Sequence, residues 1–271
     1  MTPSKPRPRE LWTTGDRYEA YVGRWSRLVA HQFIEWLRLP AQLRWLDVGC
    51  GTGALTEIIL ACAAPAVVMG IDPSEEFVSV ASERVQDKWV RFQIGEARAL
   101  PLEDTAFDVV VSGLVLNFVP VPATAIAEMR RVVRAGGTVA LYVWDYAGEM
   151  QMMRHFWDAA IALDPSARPL DEGERFVICR PGQLLALFKD CGIEEPECTI
   201  LEVPTVFRNF DDLWSPFLGG QGPAPTYLGT LSEDRQARLR EHVRARLPIA
   251  KDGSIHLIAR AFAVRGTEPD R

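Results

Sequence analysis

Residues 45–53 read Trp45-Leu-Asp-Val-Gly-Cys-Gly-Thr-Gly53. A short apolar run that suits a buried strand (44–48) meets three glycines at two-residue intervals, and a helical pattern follows over 54–62. Strand, glycine turn and helix in that order open an α/β unit. The turn falls at the strand's carboxyl end, where open α/β sheets bind their ligands. Glycine there lets the backbone come close to a ligand. Gly49, Gly51 and Ala54 also satisfy G-x-G-x-x-G/A, so this stretch alone does not choose between cofactors.

The alternation continues outward. Strands are expected at 67–71, 89–94, 107–112 and 138–144, with helices at 74–85 and 122–133 and a turn at 135–137. Ser74 suits an N-cap, and Pro122 suits a first helical position. Upstream, apolar residues recur at helical spacing over 16–37. Downstream, helices are expected at 148–163, 181–191 and 232–246, strands at 199–207 and 255–264, and a Pro/Gly-rich stretch at 218–225. Strands alternating with helices imply an α/β fold: a parallel sheet with helices on both faces. The expected organisation is a tail (1–15) and one domain (16–271), with a core at 44–144 and inserts at 145–177 and 209–253.

Length and charge narrow the function classes. A chain of 271 residues buries a core without staples. The net charge of −6 disfavours nucleic acid as the main partner. Five cysteines without a C-x-x-C pair fit reduced thiols in the cytoplasm rather than a disulfide framework or zinc site. No metal is expected, and no secretory signal is evident at the N-terminus. Residues 109–127 carry no charge over 19 positions, but Pro120, Pro122, Asn117 and Gly113 break the run into strand, loop and helix start rather than a membrane span.

Two acids extend the glycine turn. Asp72 ends the second strand, where a carboxylate can hold both ribose hydroxyls of a nucleotide cofactor or cap the helix that follows Pro73 and Ser74. Glu96, after Gly95 and before Ala97, ends the third strand and suits either an adenine amino group or open solvent.

At this point the sequence resembles the class I S-adenosylmethionine-dependent methyltransferases of type 11, similar to the ubiquinone/menaquinone C-methyltransferases. The blocks that carry the resemblance are Leu46 to Gly53, Gly70 to Ser74, Gly95 to Ala97, Leu100-Pro-Leu102 leading into Phe107 to Ser112, and Arg131 to Gly137. They cover about 44–144. Tyr18 to Ser26 is also family-like. The resemblance implies a Rossmann-like seven-stranded sheet, mostly parallel with a reversed last hairpin (199–207 and 255–264).

It further implies S-adenosyl-L-methionine as cofactor and S-adenosyl-L-homocysteine as product. Gly49, Gly51 and Thr52 would line the methionine moiety. Asp47 would face its ammonium end through intervening groups, and Asp72 would hold the ribose. Glu96 and Ala97 would frame adenine, with Pro73 on its face and Ser112 beside the methionine group. Apart from the resemblance, Tyr18, Tyr21 and Arg24 fall at three-residue spacing and can share one helical face. Arg24 would then pair with the cofactor carboxylate and a tyrosine hydroxyl such as that of Tyr18 add a hydrogen bond, or the helix merely covers the sheet edge. Glu96 stands where relatives often carry Asp, and the histidine common near Asn117 in the C-methyltransferases is absent.

Candidates for the acceptor side are Asn117, Phe118, Trp144, Tyr146, His155, Trp214 and Tyr227, each of which also suits plain core packing. No catalytic residue is assigned, because an activated methyl donor needs alignment more than a base. The expected function is methyl transfer to a small molecule by direct displacement. An NAD(P)-binding oxidoreductase and a non-catalytic cofactor-binding protein are the alternatives.

Overall fold

The computed structural model of the chain describes residues 23–219 and 222–270, and for Arg24 only the backbone. The tail 1–15, Tyr18 and the side chain of Arg24 therefore lie outside the described residues.

The first half runs α1 (Arg24–Leu37), β1 (Arg44–Val48), α2 (Ala54–Ala63), β2 (Val67–Asp72), α3 (Glu75–Arg84), β3 (Val90–Ile94), β4 (Phe107–Gly113), α4 (Pro122–Val132) and β5 (Val133–Trp144). A first insert with α5 (Gln151–Leu163) and α6 (Glu172–Arg175) is followed by α7 (Pro181–Asp190) and β6 (Glu194–Phe207). A second with α8 (Phe210–Trp214), α9 (Pro223–Gly229) and α10 (Glu233–Arg246) leads to β7 (Ile255–Thr267).

The seven strands form one sheet in the order β3-β2-β1-β4-β5-β7-β6. β1 to β5 are parallel, and β7 is antiparallel to both of its neighbours. Of the late hairpin only β7 is therefore reversed, because β6 runs with the first five strands. Consecutive residues of a strand point to opposite faces. Val109, Val110 and Val111 in β4 are all fully buried, so both faces of the sheet centre are covered. The strand order reverses between β1 and β4, which opens a crevice at their carboxyl ends.

Some boundaries differ from the sequence expectation. Residues 135–137 belong to β5 rather than to a separate turn. The Gly136 amide donates to the Glu268 carbonyl and the Glu268 amide to the Gly137 carbonyl, both at 2.9 Å, so the chain's last strand extends the pairing. β6 starts at Glu194 for the same reason, pairing as far as Thr267. α5 starts at Gln151, because the Asp145 carboxylate accepts the Gly148 and Glu149 amides at 2.9 and 3.0 Å and folds 145–149 into a turn. The Pro/Gly-rich stretch contributes α9. No helix among the described residues is long and apolar enough to cross a membrane.

The two inserts share one aromatic core. Phe156 of α5 stacks on Phe217 at 4.6 Å and meets Trp157, Trp214 and Tyr227 at 5.3–6.3 Å between ring centroids. On the outside, Arg235 of α10 pairs with Asp164 at 2.5 Å and Arg240 with Asp211 at 2.6 Å. The first of these pairs joins the two inserts, and the second ties α10 to α8 within the second insert.

Candidate functional site

The β1–α2 turn is built backbone first. The Gly49 and Cys50 amides both donate to the Ile71 carbonyl, at 2.7 and 3.0 Å, and so lock the turn to the end of β2. Gly49 has φ +76°, and a Cβ there would come within 2.6 Å of Val115, so only glycine fits. Gly51 has φ +52° and open space beside it, so a side chain would stand in the hollow the turn surrounds.

That hollow is a cavity of about 330 Å³ at the carboxyl ends of β1, β2, β3 and β4. It brings together Asp47, Gly49, Gly51, Thr52, Asp72, Pro73, Glu96 and Ala97, eight of the expected cofactor residues from three separate strand ends. Ser112 does not line it. Its hydroxyl donates to the Val48 carbonyl at 2.7 Å, which ties β4 to β1, and its neighbour Gly113 faces the cavity instead.

Asp47 is buried. One carboxylate oxygen accepts from Thr56 Oγ1 at 2.8 Å, and Oδ1 has no hydrogen-bond partner among the described residues. Burial pushes its pKa up to about 7, against the pull of the Thr56 hydrogen bond and with help from the nearby Asp72 charge. Asp72 is also raised by burial, and backbone amides hold that shift back. Its Oδ1 accepts from Ser74 N at 2.9 Å and its Oδ2 from Gly51 N at 3.0 Å. Cap and turn-holder are thus one residue, with lone pairs to spare. Ser74 in turn caps α3 by accepting the Phe77 amide at 3.3 Å. Glu96 is exposed and ion-paired with Arg98.

The Arg131-containing block works as scaffold. Its guanidinium donates to the Leu100 and Leu102 carbonyls at 2.9 and 2.8 Å and to Asp104 at 2.7 Å, which pins the loop after β3. Sequence reasoning missed Thr56, Val115 and Tyr142. Only Thr56 left a signal, a hydroxyl in the first turn of the helix behind a buried acid.

The acceptor candidates scatter. Trp144 and Tyr146 are buried at the end of β5, outside the cavity lining, because β7 and the first insert cover that strand end. Trp214 and Tyr227 belong to the shared core of the inserts, which bury each other's aromatics. His155 faces a separate shallow depression beside Arg246 and His256, and burial lowers its pKa. Phe118 lines the main cavity, and Asn117, next to it, lines a second hollow.

Residues 46–141 match a family model described as a methyltransferase domain. The demethylmenaquinone methyltransferase of Bacillus subtilis is 42% identical over 99 residues, which is 35% of this chain and 42% of that protein. The 2-methyl-6-phytyl-1,4-hydroquinone methyltransferase of Synechocystis is 29% identical over 187 residues, 68% of this chain and 57% of that one. The chain thus spans 42% and 57% of the lengths of these curated relatives. Among solved structures, phosphoethanolamine N-methyltransferase 2 of Haemonchus contortus, in complex with phosphomonomethylethanolamine and S-adenosylhomocysteine, superposes with a TM-score of 0.59 at 17% identity. That match covers 94% of this chain and 57% of that one, and it speaks for the fold alone.

Proposed function

We propose that this chain, in which residues 46–141 form a methyltransferase domain of the S-adenosylmethionine-dependent type 11 family, transfers a methyl group to a small-molecule acceptor by direct displacement. One observation carries the reading. Asp47 and Asp72, ending neighbouring parallel strands, face one cavity across a glycine turn whose amides are already anchored.

Two features fit S-adenosylmethionine there. The buried Asp47 Oδ1 lacks a partner, and burial of an unpaired carboxylate is costly unless a cation compensates it. The open space beside Gly51 leaves room for a ligand against the backbone. When bound, that cofactor supplies a methyl group already activated by its positively charged sulfur.

The chain's own part is to hold and align. Asp72 takes the ribose hydroxyls, and Asp47 faces the ammonium end through intervening groups. Gly49, Gly51 and Thr52 line the methionine moiety, while Pro73, Glu96 and Ala97 frame the adenine. Tyr18 and Arg24 are assigned to the carboxylate from their three-residue spacing with Tyr21 in the sequence and from the charge of Arg24. Ser112 acts by fixing β4 against β1. Alignment of this kind is worth roughly 7–11 kcal/mol of barrier. No side chain is assigned as a base.

The relatives' names support a small-molecule acceptor, and the five free thiols support a cytoplasmic setting. Residues 16–271 are taken as one domain, with the core at 44–144 and inserts at 145–177 and 209–253.

Titration calorimetry with S-adenosylhomocysteine and with NAD, followed by a labelled-methyl assay over small acceptors, tests the proposal. Binding of S-adenosylhomocysteine alone and label transfer are expected. NAD binding in its place would overturn the cofactor, and cofactor binding without transfer to any acceptor would point to a binding protein.

A further inference from the structure

One carboxylate ties together three helices that border the cofactor cavity. Glu57 stands in the first turn of α2, one position after Thr56, whose hydroxyl holds Asp47. Its two oxygens serve different helices. Oε2 accepts from Arg27 Nε of α1 at 2.9 Å, and Oε1 accepts from Arg84 Nε of α3 at 2.8 Å. The two arginines lie 30 and 27 positions away in the sequence, so only the fold brings them to one acid.

Each of these helices lends residues to the cavity wall. Ser26, beside Arg27, comes from α1, Ala54 and Leu55 come from α2, and Phe77 comes from α3. The last turn of α3 also lies over the glycine turn, since a Cβ on Gly53 would meet Val85, next to Arg84, at 3.1 Å. α3 packs mainly on β2 and β3, so the Arg84 pair adds a direct tie to α2. Isolated ion pairs in full solvent contribute little, and networks contribute more. Here the three side chains are only 26–33% exposed, and one acid answers two guanidiniums. A ligand gripped between walls leaves when a wall loosens.

We propose that Glu57 is a positioning residue for cofactor retention: through Arg27 and Arg84 it holds the α1 and α3 walls to α2 and slows cofactor release. Glu57 does not line the cavity, so it acts through those helices and not by touching the ligand. This role rests on the S-adenosylmethionine reading of the cavity.

Labelled S-adenosylhomocysteine, bound to the whole chain and chased with excess unlabelled compound well below the melting temperature, gives the release rate. The chase is run at ionic strengths of about 0.01 M and about 1 M, where charges act over about 30 Å and about 3 Å. At the lower value Glu57→Gln should release the ligand about threefold faster, the scale of a partly screened ion-pair network. High salt should speed release from the parent chain, and Glu57→Gln should respond less. Arg27→Gln and Arg84→Gln should each speed release. Adding Glu57→Gln to either should then change less than it does in the parent, because one tie is already lost. A merely structural pair would lower the melting temperature of Glu57→Gln and leave its release rate as in the parent. Parent-like release in Glu57→Gln, or an equal salt response in both chains, would overturn the role. Should Glu57→Gln not fold, parent-like release in both arginine variants overturns it instead. If the parent chain does not bind S-adenosylhomocysteine, the methyltransferase reading falls and this role falls with it.

Discussion

Asp47 is the residue whose environment most directly constrains the chemistry. Burial raises its pKa to about 7, so near neutral pH this carboxyl holds a proton far more readily than an ordinary aspartate. A cationic ligand group favours the ionised form, so S-adenosylhomocysteine affinity should fall as pH drops below about 7 and level off above it. Below that pH binding should release protons, detectable as a calorimetric heat that depends on buffer ionisation. Asp47→Asn should abolish the pH dependence, and a flat profile in the wild-type chain would argue against the ammonium role. Asp72 has two duties, because its oxygens hold Gly51 and Ser74 as well as facing the cavity. Asp72→Ala should weaken S-adenosylhomocysteine by roughly 1.5–3 kcal/mol, the range for hydrogen bonds to a charged group. A correctly folded variant with wild-type affinity would refute the ribose assignment. Both acids stand out in the sequence because each ends an apolar strand. Their partners do not, since Thr56 reaches Asp47 only once α2 is wound and docked.

At the scale of elements, the cofactor half and the inserts differ in how far local pattern fixes them. β1, β2 and β4 are largely apolar runs and β3 alternates apolar with polar residues, and their positions in the sequence and the structure agree closely. The inserts hold aromatics that look equally suited to a pocket or a core. Phe156 resolves this: it is fully buried and contacts aromatics from both inserts. Phe156→Ala should therefore destabilise the fold by roughly 3–5 kcal/mol, as for large core truncations. Denaturant unfolding would measure that loss, with S-adenosylhomocysteine affinity preserved under native conditions. A loss below about 1 kcal/mol would mean the inserts do not share a packed core.

For the molecule as a whole, stability should depend on pH through a group far from the cofactor. Glu172 is buried, accepts from Trp157 Nε1, and burial pushes its pKa up to about 8 from an ordinary 4.5. The folded state then holds a proton that the unfolded chain has released. On this group's account, stability is fully present below about 4.5 and is lost as pH rises to about 8. Asp47 adds the same sign between 3.8 and about 7. Glu172→Gln keeps an acceptor for Trp157 without a titrating proton. Its melting temperature should drop less between pH 5 and pH 8 than that of the parent chain, and equal drops would rule out the buried proton. The same long-range logic closes the sheet. Arg130 of α4 donates to Glu268 at 2.6 and 3.0 Å, next to the backbone pairs that seat the end of β7 beside β5.

The sequence alone determined the α/β class, the five parallel strands, the glycine turn and the acids that end β1 and β2, because each is set by residues within one strand–turn–helix unit. Alternation, helix caps and glycines at required positive φ act over a few residues and can be read there. The tertiary structure decided what depends on residues far apart. The lengths of β5 and β6 depend on pairing with β7, more than a hundred and 48 to 73 positions away respectively. Ser112 turned to β1, and Trp144, Tyr146, Trp214 and Tyr227 were buried away from the cavity. Asn117, one of several polar and aromatic candidates in the sequence, had its amide enclosed and left unpaired by the fold. Burial and hydrogen-bond satisfaction belong to the packed chain, since a side chain's partners come from every element that folds against it.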